Sequence, residues 1–412
     1  MKYLILILIF ASIQDAFSAS HVIKSCCASD LILAIKQAED HDSIVIDGGQ
    51  YEVENLVITK PLKLIGKNNA TLISKSGDEI LTVIADSTIV KGLTFKDVTT
   101  SYLKERSGIR IKKAKNFTIE NNTLINCFFA IYIERGIKGT IKKNKILGNA
   151  TTEAESGNGI HAWYSDQLII RDNEIRGHRD GIYFEFVNKS EIIHNHSELN
   201  KRYGLHFMFS NDDAYRDNTF IDNGVGVAVM FSRRIEMVGN SFERNWGRSA
   251  YGLLLKEIYD AEILNNDFAE NTIGIFVEGS NRINYHFNNF KRNGWALKFS
   301  GGCEDNNISN NNFIDNSLDL VVNTRISSNK FENNYWSEYA GYDLDKDEIG
   351  DVPHYPVKLF SYVLDRAPES IVLMRSLFVD LINFSEKVSP VFTPKDVFDE
   401  SPLMFPINDS SQ

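Results

Sequence analysis

The sequence predicts an all-β fold: a right-handed parallel β-helix of about 22 residues per coil, with a short N-terminal capping helix and a C-terminal helical or extended segment. Three observations carry this. Asparagine is crowded into one stretch, with 34 of the chain's 39 lying between Asn116 and Asn334. The motif Asn-x-[Ile/Leu/Phe]-x-x-Asn recurs, as in Asn144/Ile146/Asn149, Asn218/Phe220/Asn223, Asn240/Phe242/Asn245 and Asn288/Phe290/Asn293. A second marker, Gly before an apolar residue, runs in phase at Gly108, Gly159, Gly181, Gly204, Gly226, Gly252 and Gly274. The first Asn of successive copies, from Asn122 to Asn329, steps by 22 or 23 residues, with exceptions of 29, 26 and a final 18. Short β-type runs at that period, without helical periodicity, indicate coils that stack so that equivalent residues form columns about 4.8 Å apart. Asn suits such columns, because it tolerates the left-handed corner and its amide can bond the same amide one coil away.

The elements follow in order. Residues 1–18 read as an export signal, with Lys2 as the charged start, an apolar run from Tyr3 to Ile13, and Ala16-Phe17-Ser18 as the cleavage site. The expected location is the periplasm; no later stretch is long and apolar enough to span a membrane. Cys26 and Cys27 form an adjacent pair, read either as a soft-metal or redox pair or as part of a plain tail, whereas Cys127 and Cys303 lie many coils apart and read as buried thiols. Ser29 begins a short amphipathic helix to Ala38 that covers the open end of the solenoid, and the β-helix with this cap occupies residues 19–335. Ser43–Ile46, Leu56–Ile58 and Leu62–Ile65 read as the first strands; the long steps mark insertions at Ala150–Asn158 and around Arg248–Ala250. Residues 336–412 differ in composition, with prolines concentrated there and helical periodicity from Ser370 to Asn383.

Strand parity then sorts the residues after each marker glycine. Ile182/Phe184, Leu205/Phe207 and Val227/Val229 face the core; His161/Trp163, Tyr183/Glu185, His206/Met208, Ala228/Met230 and Leu254/Lys256 face out. That outer face is more apolar than solvent demands, which fits a partner-docking face formed by Trp163, Tyr183, Glu185, Met208 and Met230, or cover by a loop or the C-terminal segment. Met208 and Met230 fall at equivalent positions on adjacent coils, with His206 beside them and His161 in the same column two coils away. Thioether and imidazole donors suit Cu(I); adaptable packing against a partner would use the same residues.

Two charged clusters remain. His178-Arg179-Asp180 could serve acid–base chemistry on acidic sugars, but no recurring column of Asp, Arg and Lys supports it, and a charged turn is the favoured reading. Asp343, Asp345, Asp347 and Asp351 resemble a calcium loop, with Glu348 where Gly is expected and no terminal Glu; an acidic turn is the alternative. The net charge of −11 argues against nucleic acid.

Specific strings go further. Gly159-Ile-His-Ala-Trp-Tyr-Ser-Asp166, Gly177-His-Arg-Asp-Gly-Ile-Tyr-Phe-Glu-Phe186, Arg202-Tyr-Gly-Leu-His-Phe-Met-Phe-Ser-Asn-Asp212, Ala250-Tyr-Gly-Leu-Leu-Leu-Lys-Glu257 and Gly341-Tyr-Asp-Leu-Asp345 resemble the NosD family. The resemblance covers roughly residues 28–406. It implies a periplasmic β-helical maturation factor for nitrous oxide reductase, working with an ABC permease and its ATPase and a copper-chaperone lipoprotein. It implies no catalytic residue. Leu373, Leu377, Phe378 and Leu381 then read as an amphipathic element seated on the permease, or as a helix capping the coils. The main alternative function is a polysaccharide lyase or epimerase on the same fold.

Overall fold

Each coil is three short strands joined by tight corners, and asparagine does two separate jobs in making it. The computed structural model describes residues 19–24, 27–101, 103–247, 250–323, 328–373, 376–388 and 397–408. The export signal, Cys26 and the centre of the insertion near Arg248 fall outside them. The strands stack into three all-parallel sheets of 14, 13 and 12 strands, visited in turn by every coil. This is the right-handed parallel β-solenoid that the repeat predicts.

The first job is at the corners. Asn116, Asn121, Asn126, Asn265, Asn310 and Asn333 hold φ between 52° and 55°, the left-handed region in which Asn is better tolerated than most residues. The second job is buried. Asn122, Asn144, Asn173, Asn195, Asn218, Asn240, Asn266, Asn288, Asn311 and Asn334 form one ladder. Each Nδ2 donates to the next Oδ1 at 2.9–3.1 Å. The backbone N–H of each residue donates to that same oxygen. A second ladder, from Asn200 through Asn223, Asn245, Asn271 and Asn293 to Asn316, is joined by the same backbone bonds.

The final 18-residue step in the sequence marker is a change of column. Asn329 accepts from the Asn306 N–H at 2.8 Å and stands in a different row. The ladder itself continues from Asn311 to Asn334, an ordinary coil. The marker glycines have a steric reason: a Cβ at Gly204 would lie 2.6 Å from the Gly226 carbonyl oxygen one coil away.

Inside the solenoid the second sheet contributes a stack of rings, Phe220, Phe242, Phe268, Phe290, Phe313 and Trp336, with successive centroids 4.1–5.5 Å apart. Cys127 and Cys303 are buried free thiols, and burial pushes the Cys127 thiol up to about 12. At the N-terminal end, helix α1 (Ala28–Gln37) seats Leu31, Ala34 and Ile35 over the core, and an additional strand, Ser20–Ile23, pairs with Ser43–Asp47. At the other end the chain folds back. Buried Asp399 accepts from the Asn334 backbone N–H and Nδ2 and from Trp336 Nε1, at 2.9–3.1 Å, and so closes the ladder with a carboxylate.

Removing one rung tests the ladder. Asn240→Ala deletes the bonds to Asn266 and to the Tyr215 carbonyl and strands the Asn218 donors. The expected loss in chemical denaturation is about 2–4 kcal/mol. Asn284→Ala, which removes only a bond to exposed Glu262, should cost no more than about 0.5 kcal/mol.

Candidate functional site

The outward side chains of the third sheet form two parallel columns whose register is set by the ladder. The first runs Arg110, Tyr132, His161, Tyr183, His206, Ala228 and Leu254. The second, two residues along each strand, runs Glu134, Trp163, Glu185, Met208, Met230 and Lys256. Parity therefore gives the right direction for all of them. It does not give their exposure: His161 is 8% and His206 5% exposed. The columns cover themselves. The Arg110 guanidinium lies 4.4 Å over the Tyr132 ring, Tyr132 stacks on His161 at 4.5 Å, and Tyr183 sits 4.8 Å from the rings of both His161 and His206.

His206, Met208 and Met230 lie on one outward face. His206 and Met208 project from one strand, Tyr203–Met208, and Met230 is the register partner of Met208 on the next coil, about 4.8 Å away. Neither His206 ring nitrogen has a hydrogen-bond partner, and burial lowers its pKa to about 4, so the imidazole is neutral with its lone pair intact. The Tyr183 hydroxyl donates to the Met208 sulfur at 3.7 Å. His161 does not join this group. The Tyr183 ring stands between it and His206, and its Nδ1 is bonded to Asn158 Nδ2 at 2.9 Å.

Charged groups do converge beside these columns, contrary to the sequence reading. The chain at residues 99–101 and 103–107 and the insertion at 150–158 meet through a bond from Thr100 Oγ1 to the Glu155 carbonyl, 2.8 Å. They wall a cleft of about 510 Å³ lined by Lys104, Glu105, His161, Arg179, Tyr183, Glu185 and Arg202 among others. At its edge Asp180 is wholly buried and held by both Nε and Nη2 of Arg202, with Arg179 Nε 3.7 Å away. The favoured turn with an Arg–Asp pair is thus present, the principal arginine being Arg202 from the next coil. Burial drives the His161 pKa down to about 3 and the Tyr183 hydroxyl up to about 12. A base that weak and an acid that weak are poorly matched to proton transfer near neutral pH. The third member of the sequence cluster, His178, is 1% exposed.

Residues 148–343 match the family described as periplasmic copper-binding protein (NosD), and residues 34–167 match that described as right handed beta helix region. A probable ABC transporter binding protein NosD from Stutzerimonas stutzeri is 26% identical over 379 residues, 87% of this chain and 86% of its own length. Its namesake from Pseudomonas aeruginosa is 27% identical over 372 residues, 85% of each chain. Over residues 148–343 the chain is thus similar to the NosD family. A mannuronic-acid-specific family 6 polysaccharide lyase from human gut microbiota shares the fold with a TM-score of 0.58, covering 79% of this chain and 89% of the lyase at 12% identity. At that identity the likeness is one of architecture.

Two further regions complete the outer surface of the chain. In the acidic loop, Asp343, Asp345 and Asp347 bring carboxylate oxygens within 4.8 Å of one another. Asp351 is not part of that group; its carboxylate takes the Leu344 N–H at 2.6 Å. Asp343 is likewise engaged by the N–H groups of Lys346 and Glu348, and Asp347 by that of Ile349, so backbone donors account for the loop's shape. Near the chain's end, α2 (Leu359–Arg366) and α3 (Leu377–Val388) pack over the last strand of the third sheet through Leu318, Val321, Phe360, Leu364 and Val379. The capping role expected as one alternative is therefore real. It leaves Leu373, Leu377, Phe378, Leu381 and Phe384 exposed on the other side.

The sequence reading missed one feature. Immediately after Trp163, Glu185, Met208 and Met230 come Tyr164, Phe186, Phe209 and Phe231, which stack into a ladder of rings along one corner. Their spacing of 22, 23 and 22 residues was the available signal.

His178 supplies a pH test. Burial lowers its pKa to about 4 from an unfolded value near 6.5, so its contribution is fully present above pH 6.5 and is lost as pH falls toward 4. Between pH 7.5 and pH 5 the parent chain should lose about 2 kcal/mol more stability than His178→Leu, measured by denaturant titration. Equal losses would show that His178 is protonated alike in both states.

Proposed function

We propose that this chain is an exported, non-catalytic accessory protein that holds Cu(I) as cargo during assembly of the copper centres of nitrous oxide reductase. In this reading it acts in the periplasm with an ABC permease and its ATPase and with a copper-chaperone lipoprotein. The observation that carries it is the placement of one unpartnered neutral imidazole, His206, and two thioethers, Met208 and Met230, at neighbouring positions of one outward face. Soft thioether and imidazole donors select Cu(I) over harder cations. The family's description as copper-binding and the relatives' description as ABC transporter binding proteins support the same reading. Trp163, Tyr183 and Glu185 frame this group and belong to the docking face.

Anaerobic chelator competition checks the site. The parent chain should bind one Cu(I), and Met208→Ala/Met230→Ala should weaken it by on the order of tenfold or more. An unchanged affinity in the double variant overturns the assignment. The polysaccharide lyase or epimerase reading rests on the charged cleft, and the weak base and acid found there count against it. Depolymerisation or epimerisation of polymannuronate by the purified chain would restore it.

The exposed side of α3 is the surface that would seat the solenoid on the permease. No helix among the described residues is long and apolar enough to cross a membrane, so the apolar row of Leu377, Leu381 and Phe384, at helical spacing, fits a contact rather than a span. Point substitutions are the appropriate probe, because a truncation would also remove Asp399 and uncap the asparagine ladder. Leu377→Glu/Leu381→Glu should abolish co-purification with the permease while leaving Val379 and the core side of the helix packed. Retained co-purification would place the permease contact elsewhere.

A further inference from the structure

The corner that follows the third sheet carries residues in the left-handed conformation on successive coils: Lys113, Arg135, Tyr164, Phe186, Phe209, Phe231, Glu257 and Gly279, with φ from 47° to 57°. For a residue with a Cβ this conformation costs roughly 1–2 kcal/mol, and elsewhere the chain often meets that cost with Asn, Asp or Gly. Here four consecutive coils use aromatic residues instead. Stability alone gives little reason for it, since the rings are not in the core: Tyr164 is 51% and Phe209 37% exposed.

The ring geometry says what such a surface can contact. Tyr164 and Phe186 stack at 4.5 Å and 22°, Phe186 and Phe209 at 5.2 Å and 9°, Phe209 and Phe231 at 5.1 Å and 16°. Rings stacked along the solenoid cover one another's faces and turn their edges outward. Sugars stack on free aromatic faces, and this ladder offers none along its length. Its hydrogen-bearing edges instead suit the aliphatic side chains of a protein. The ends are charged and opposite: Lys113 and Arg135 precede the rings, Glu257 follows them, and all three are exposed. A complementary surface therefore has an apolar centre between an acidic end and a basic end.

Each ring follows directly on Trp163, Glu185, Met208 or Met230, so the ladder borders the thioether pair. A protein that passes Cu(I) to or from Met208 and Met230 must bring its metal to bonding distance of those sulfurs, and its footprint then falls on this corner. We propose that the Tyr164–Phe186–Phe209–Phe231 ladder is the docking rail for the copper-carrying protein that exchanges Cu(I) with this chain. The inference rests on the copper reading above and adds the surface and the chemistry of the partner face.

Phe186→Asn/Phe209→Asn tests it, because Asn is at ease in left-handed corners and the substitution leaves the metal donors in place. Three measurements are made on the full chain: thermal midpoint, Cu(I) affinity by anaerobic chelator competition, and affinity for the purified Cu(I)-loaded copper chaperone, prepared without its lipid. The expected result is an unchanged Cu(I) affinity, a midpoint within a few degrees of the parent, and chaperone affinity lowered at least tenfold. Chaperone affinity within twofold of the parent overturns the proposal. So does light scattering that shows the parent chain pairing with itself through the ladder and the variant as monomer. If the double variant unfolds, Arg135→Glu/Glu257→Lys decides instead: these exposed corner charges should lower chaperone affinity several-fold, more at low salt, and no change overturns the proposal. Failure of the parent chain to bind Cu(I) alone would strike the copper reading, while the chaperone measurement would still report on the rail.

Discussion

The buried asparagine ladder is the constraint from which the rest of this structure follows. Each Nδ2 spends its two hydrogens on a neighbouring Oδ1 and on a backbone carbonyl, and each Oδ1 accepts from an amide and from a backbone N–H of the preceding coil. An amide so placed is satisfied only when the next coil carries an amide at the same point. Inside a solenoid an unpaired amide has no water to turn to. The register between coils is therefore fixed to the residue along most of the stack. At the end it is fixed by something other than a repeat: Asp399, which supplies a carboxylate oxygen for the last amide and for Trp336.

Fixed register turns outward positions into columns, and columns bury themselves. His161 and His206 point away from the core yet are almost inaccessible, because Tyr132, Tyr183 and Tyr203 lie against them at contact distance. The same effect separates two residues that the repeat suggests could share a metal. A column places residues two coils apart about 9.6 Å from each other, and whatever occupies the coil between them, here the Tyr183 ring, fills the gap. Adjacent coils suffer no such interruption, which is why Met208 and Met230 can act together and His161 cannot join them.

This distinction also explains what the sequence revealed. The fold was legible because its period is written in residues that must repeat: Asn in the ladder and corners, Gly where backbone crowds backbone. Direction was legible from parity. Exposure was not, since it depends on which side chains happen to neighbour one another across coils and on the walls built by residues 103–105 and 154–156. The convergence of Arg179, Arg202, Glu185 and His161 escaped notice for the same reason, as their positions do not recur in every coil. Asp399 was invisible because it is 65 residues from its partner Asn334 and belongs to no repeat. The aromatic corner was within reach, but corners are read for Asn and Gly, and a Phe there looks like the tail of a strand.

The division of labour has a consequence for how function attaches to this architecture. Ladder and core use inward and corner positions, so the outward columns of the third sheet can change without disturbing the register. The shared fold with a polysaccharide lyase and the similarity to the NosD family are then not in tension. What bears on proton transfer in this chain is the electrostatic state of the column. A proton-transfer site needs a base with a pKa near the working pH, whereas here stacking and burial hold the His161 pKa at about 3 and the His206 pKa at about 4. An imidazole that resists protonation keeps its lone pair across the whole physiological range. The burial that lowers both values thus leaves this column poorly suited to acid–base chemistry near neutral pH, whatever else its outward side chains contact.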